Sequence, residues 1–96
     1  RGLRVNALSR ASNLIAWVNI GAFSLQLGDI KTGKEALDNA LTLNPREPMV
    51  HYNFMNYFIT QNNYPMAIQK VKDALALDPN NQRFQGKLRE LERIQN

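Results

Sequence analysis

The segment Ala40-Leu41-Thr42-Leu43-Asn44-Pro45 returns as Ala74-Leu75-Ala76-Leu77-Asp78-Pro79, 34 residues later. A period of this length constrains the fold strongly, because one such unit cannot bury its own apolar face and must stack on a neighbour of the same kind. Aligning the chain on Pro45 and Pro79 sets one unit at residues 14–47 and a second at 48–81, with Trp17 opposite His51, Gly21 opposite Met55, Gly28 opposite Asn62, Ile30 opposite Tyr64 and Ala40 opposite Ala74. Apolar spacing predicts two helices in each unit, at about 13–26 and 31–43 in the first and about 49–61 and 65–77 in the second. Leu27-Gly28-Asp29 and Asn62-Asn63 tolerate the left-handed backbone that ends a helix in a tight turn. Pro65 falls in the first turn of its helix, where a missing N–H costs nothing, and Pro45 and Pro79 stop the helices before them.

The pattern resembles the tetratricopeptide (TPR) family. Trp17, Ile20, Gly21, Gly28, Ile30, Ala40 and Pro45 carry the likeness in the first unit, and Tyr64, Ala67, Ala74 and Pro79 in the second. Met55 departs from the family preference for Gly or Ala, Asn62 from its Gly, and Gly33 from its Ala. The two units cover 68 of 96 residues. The resemblance implies an all-α fold in which antiparallel helix-turn-helix repeats stack as a right-handed superhelix, an α-solenoid. It also implies a protein–protein interaction scaffold that binds a peptide or partner protein in its concave groove. Gly21, Gly33, Ala40, Ala67 and Ala74 are expected to let helices approach, with Trp17, Phe54, Phe58 and Tyr64 filling the space beside them.

Beyond Asn81, Phe84, Leu88 and Leu91 form one apolar stripe, and Arg83, Lys87, Arg89, Glu90, Glu92 and Arg93 occupy other positions. Residues 82–96 are therefore expected to be a C-terminal capping helix, since a terminal repeat otherwise exposes an apolar face. Residues 1–13, with Leu3, Val5, Ala7 and Leu8, are expected to be the end of a preceding, truncated helix. The chain opens on Arg1 without an initiator methionine or an apolar leader, which suggests a piece or processed form of a longer protein.

Charge and motif content bear on function. The net charge of +4 comes from the ends, because residues 1–13 carry +3, 14–47 carry −1, 48–81 are neutral and 82–96 carry +2. A nucleic-acid partner is not expected, since that footprint is a continuous basic face. A pentatricopeptide-type RNA-binding repeat would have a period of about 35 and lacks the Trp/Gly/Ala/Pro pattern found here. The apolar-rich stretch Leu14 to Leu27 is interrupted by Asn19, Ser24 and Gln26 and is shorter than the roughly 20 residues of a membrane span. No cysteine is present, so no disulfide or thiolate metal cage supplements the core, and cytoplasm and periplasm are equally compatible. His51 is the single histidine and aligns with Trp17, which points to packing between helices rather than catalysis or metal binding. Asp29, Asp38, Asp73 and Asp78 fall at helix ends or on polar faces. With no Gly-rich phosphate loop, nucleophile elbow or His-Glu-x-x-His helix, neither an enzyme nor a cofactor is expected.

The family's groove is lined by the first helix of each unit. Carried over, this implies Ile15, Val18, Ala22 and Leu25 from the first unit, Met49, Tyr52, Asn53, Asn56 and Ile59 from the second, and Arg83, Lys87 and Glu90 from the last helix. Some TPR domains clamp a C-terminal carboxylate. Asn53, Arg83 and Lys87 match the last three clamp positions in chemistry, whereas Val18 and Ala22 replace the first Lys and Asn. The patch of Ile15, Val18, Ala22 and Leu25 fits an apolar peptide groove, or a surface packed against missing upstream repeats or another copy of the chain. A second functional reading is an oligomerisation or regulatory module attached to a catalytic domain outside these residues.

Overall fold

The computed structural model describes residues 2–95, with side chains from Arg10 onward. The described residues form five helices: α1 (Gly2–Leu27), α2 (Ile30–Leu43), α3 (Pro48–Thr60), α4 (Tyr64–Leu77) and α5 (Gln82–Gln95). α1 pairs with α2 and α3 with α4, α5 lies on α4, and α3 also touches both α1 and α2. The result is extended, 53 × 30 × 16 Å, and its radius of gyration of 14.1 Å exceeds the roughly 12.5 Å of a compact chain this long.

The sequence period reappears as a period in hydrogen bonds. At the end of α1, Gly28 at φ +86° closes the turn, with its N–H on Leu25 O (3.1 Å) and the Asp29 N–H on Ser24 O (2.9 Å). At the end of α3, Asn62 at φ +56° does the same, its N–H on Ile59 O (3.0 Å) and the Asn63 N–H on Phe58 O (2.9 Å). Both are Schellman turns, which satisfy carbonyls the helix leaves unpaired. The next residue then caps the following helix: Asp29 Oδ1 accepts from Thr32 N at 3.2 Å, and Asn63 Oδ1 from Met66 N at 3.3 Å. A positive φ and a capping oxygen side by side reverse the chain within two residues and make each pair antiparallel.

Small residues set the spacing inside the first pair. A Cβ on Gly21 would stand 2.8 Å from Leu37 Cδ2, and one on Gly33 would stand 2.7 Å from Leu25 Cδ2. Each glycine is thus the socket for a leucine of the facing helix. In the second pair the corresponding residues are Met55, Ala67 and Val71, all fully buried in one cluster. Where Met55 replaces the glycine, Val71 replaces the longer Leu37.

One cluster joins Leu25, Leu37 and Ala40 to Val50 and Phe54; the other joins Tyr52, Met55, Ala67, Val71 and Ala74 to Phe84 and Leu91. Phe58 touches both.

Three expectations change. α1 is unbroken from Gly2 to Leu27, so no turn separates residues 2–13 from the first unit. The stretch from Leu3 to Asn13 has no Gly or Pro to stop a helix. The side chains of Leu3, Val5, Ala7 and Leu8, and all of Arg1, lie outside the described residues. α3 begins at Pro48, which takes the first helical turn after the Glu47 cap. His51 is a brace as well as a packing residue: its Nε2–H donates to Pro45 O at 2.7 Å across the turn between units. One period later, Gln85 Nε2 donates to Pro79 O at 2.8 Å. The bond to a carbonyl fixes the imidazole tautomer and leaves Nδ1 buried without a partner.

Two stability predictions follow from these contacts. Gly21→Ala should lower the urea midpoint, because overpacking costs about 1–3 kcal/mol against a helix-propensity gain of about 1 kcal/mol. Adding Leu37→Val should recover part of the loss, visible as favourable coupling in a double-mutant cycle. His51→Ala should cost about 1 kcal/mol, whereas His51→Gln should stay near wild type by making the bond Gln85 makes.

Candidate functional site

α3 lies between α1 and α5, and the three enclose an open groove of about 390 Å³. Its position follows from the turns: each reversal returns the chain so that the first helices of successive units stand on one side. α1 contributes Val18, Asn19, Ala22, Leu25 and Gln26, α3 contributes Met49, Tyr52, Asn53, Asn56, Ile59 and Thr60, and α5 contributes Arg83. Ten of these are five pairs one period apart: Val18/Tyr52, Asn19/Asn53, Ala22/Asn56, Leu25/Ile59 and Gln26/Thr60. Of the residues expected to line the groove, the structure brings together Val18, Ala22, Leu25, Met49, Tyr52, Asn53, Asn56, Ile59 and Arg83. Asn19, Gln26 and Thr60 were not anticipated. Translation by one period from Asn53 would have found Asn19, and Gln26 and Thr60 are each other's counterparts.

Lys87 and Glu90 do not line the groove; Lys87 Nζ is 3.0 Å from Glu90 Oε1 along α5. Ile15 lines a smaller adjoining hollow of about 170 Å³ with Leu14, Val18, Asn19, Glu47 and Met49.

Several lining residues also hold the fold. Tyr52 is 6% exposed, stacks on Phe84 with ring centroids 4.9 Å apart, and carries the Arg83 guanidinium 4.9 Å from its ring centre. Arg83 is thus held at the groove wall by cation–π attraction. It is the only charged residue lining the groove and forms no ion pair among the described residues. Asn53 is buried, and its Nδ2 donates to Met49 O at 2.9 Å, which fixes its amide plane. Leu25 belongs to the core as the knob over Gly33.

Of the three residues matching the carboxylate clamp, Asn53 is committed to Met49 and Lys87 to Glu90. Arg83 remains. The groove therefore grades from an apolar wall at Val18, Ala22 and Met49 to an amide and guanidinium wall at Asn53, Asn56 and Arg83.

The aspartates engage in local contacts. Asp38 Oδ2 accepts from Lys34 Nζ at 2.8 Å, and this hydrogen bond raises the Lys34 pKa above its ordinary value. Asp73 accepts from Gln69 at 2.9 Å and Asp78 from Asn81 at 3.0 Å. Among the described residues no three His, Cys, Asp or Glu side chains converge on a metal-sized site, and no helix is long and apolar enough to cross a membrane. No protein-family model matches the chain, and no curated protein matches it either.

Because its ring is core and its hydroxyl is not, Tyr52→Phe should leave the thermal midpoint near wild type. Tyr52→Ala should cost about 3–5 kcal/mol through lost stacking, as measured by denaturant unfolding.

Proposed function

We propose that this chain is a TPR-type interaction scaffold that binds a peptide segment of a partner protein in the groove between α1, α3 and α5. The observation that carries the reading is the groove itself, whose lining repeats at the 34-residue period of the sequence. A surface built from successive first helices suits an extended ligand that crosses several helices in turn. The wall chemistry supports a peptide with an apolar side chain toward Val18 and Ala22 and amide or acidic groups toward Asn56 and Arg83. A carboxylate there would gain a charge-assisted hydrogen bond from the guanidinium.

Binding on this surface requires no chemistry from the chain. The ligand would gain affinity from apolar burial at one end and polar matching at the other, while rigid helices hold the lining side chains in place beforehand. Asn56 is half-buried and Arg83 is exposed, and neither belongs to a core cluster, so they can be changed without opening the core.

Display of random peptides against the immobilised chain should select sequences pairing an apolar residue with a nearby acidic one. Asn56→Asp and Arg83→Glu should each weaken the selected peptides by roughly tenfold or more in fluorescence polarisation, with helicity unchanged. Peptides that bind both variants as tightly as wild type would refute the groove as their site.

A further inference from the structure

We propose that the groove holds its peptide in one fixed register, set by a Lys or Arg side chain of the ligand seated beside Glu47 and an acidic group at Arg83. The inference rests on the peptide-binding reading and adds a second anchor to it. Beside the groove lies the smaller hollow of about 170 Å³, lined by Leu14, Ile15, Val18, Asn19, Glu47 and Met49. Val18, Asn19 and Met49 line both spaces, so the two form one continuous surface. Each part holds a single charged residue, Arg83 in the groove and Glu47 in the hollow, and the two are opposite in sign.

Neither charge is neutralised by an ion pair among the described residues. Glu47 is half-buried and caps α3, with Oε2 accepting from Met49 N at 3.3 Å. A carboxylate has about four acceptor sites, so one N–H leaves most of its capacity open. The partial charge at the start of α3, about +0.5, offsets only part of a full negative charge. Arg46, beside it in sequence, does not pair with it. An ion partly shielded from water gains more from a counter-charge than one at the open surface.

The hollow's lining selects the kind of cation. Leu14, Ile15, Val18 and Met49 make its apolar walls, and the Glu47 carboxylate and Asn19 amide make its polar part. Lys and Arg match that division, because their methylene stems lie along apolar surface while the charged head reaches a polar edge. A bare cation would leave the walls wet.

Distance sets the spacing of the ligand's charges. The hollow lies in the crevice between α1 and α3, and Arg83 stands on α5 across α3, over the Tyr52 ring. Neighbouring helices pack about 8–10 Å apart and Glu47 precedes Tyr52 by about 7.5 Å of helix, so the two charges are on the order of 10–15 Å apart. An extended peptide at roughly 3.3 Å per residue covers this in about three to five residues. The ligand therefore carries Lys or Arg at that separation from Asp or Glu, with an apolar residue between them against Val18 and Met49. Opposite charges at the two ends fix register more than they add affinity.

Random peptides displayed against the immobilised chain should be enriched in this pairing. The most enriched peptide, synthesised with a fluorescein label, is then measured by fluorescence polarisation with its cationic residue intact or replaced by norleucine. Norleucine should weaken binding to wild type by roughly threefold or more and leave binding to Glu47→Gln unchanged. The Glu47→Gln side chain keeps a capping oxygen, and an unaltered urea midpoint checks that α3 is intact. Peptides that need Arg83 but carry no cation, or that lose as much to norleucine on Glu47→Gln as on wild type, overturn the register and leave the groove as a binding site. Loss of binding on acetylating the peptide N-terminus assigns the hollow to a terminal amine and also overturns it. No enrichment at all, or peptides indifferent to Arg83→Glu and Asn56→Asp, overturns both readings.

Discussion

The architecture hangs on the contact between each second helix and the first helix of the following unit. Ala40 and Ala74 are the pivots, both fully buried at the same place in the period. Their short side chains admit Val50 and Phe54 at the first joint and Phe84 at the second. A larger residue at either would push the next helix outward and misalign everything beyond it. The turns reverse the chain, but these joints decide how far α3 stands from α1 and how Phe84 reaches Tyr52. The groove is a consequence of that spacing. The His51–Pro45 and Gln85–Pro79 bonds close the same joints from the outside, tying the first turn of each incoming helix to the loop that delivers it.

Much of this was legible because it is local or periodic. Gly28 and Asn62 announce left-handed turns by their own chemistry, and Asp29 and Asn63 announce caps, so the helix ends follow within a residue or two. Nine of the twelve residues expected in the groove line one cavity because helical spacing and the repeat register are both readable in one dimension. What escaped depends on side-chain reach in three dimensions. Nothing in the letters distinguishes a histidine that packs from one whose Nε2 spans six residues to a proline carbonyl. Nor do they reveal that Lys87 turns along its own helix to Glu90 rather than toward the groove. The continuity of α1 escaped for a different reason. The repeat boundary at residue 14 marks a change of pattern, and a helix ends only where its backbone is broken.

Several groove residues cannot be separated from the core. Tyr52, Asn53 and Leu25 each present an edge to the groove while the rest of the side chain packs against Phe84, Met49 O or Gly33. Such residues make the wall rigid, which under the proposed binding role would limit the entropy lost as a peptide settles on it. They also make loss of function ambiguous in any experiment that truncates them. Asn56 and Arg83 contribute to the wall without belonging to either core cluster, so the wall's chemistry is more readily adjusted there.

The chargeless stretch of α1 can be understood from the number of faces it must serve. Gly21 and Leu25 turn toward α2, Val18 and Ala22 toward the groove, and Ala16, Ile20, Phe23 and Leu27 outward. An ordinary surface helix leaves about half its circumference to water and fills it with Lys and Glu. α5 follows that rule, with Phe84 and Leu91 inward and Arg89, Glu90, Glu92 and Arg93 outward. α1 does not, although both are first helices in the same register. One and two periods on, Ile20 and Phe23 correspond to Phe54 and Tyr57 in α3 and to Leu88 and Leu91 in α5, apolar at every copy. The outer face of α1 therefore repeats the apolar composition that packs α3 on α2 and α5 on α4, which is why it stays free of charge where α5 turns Arg and Glu to water.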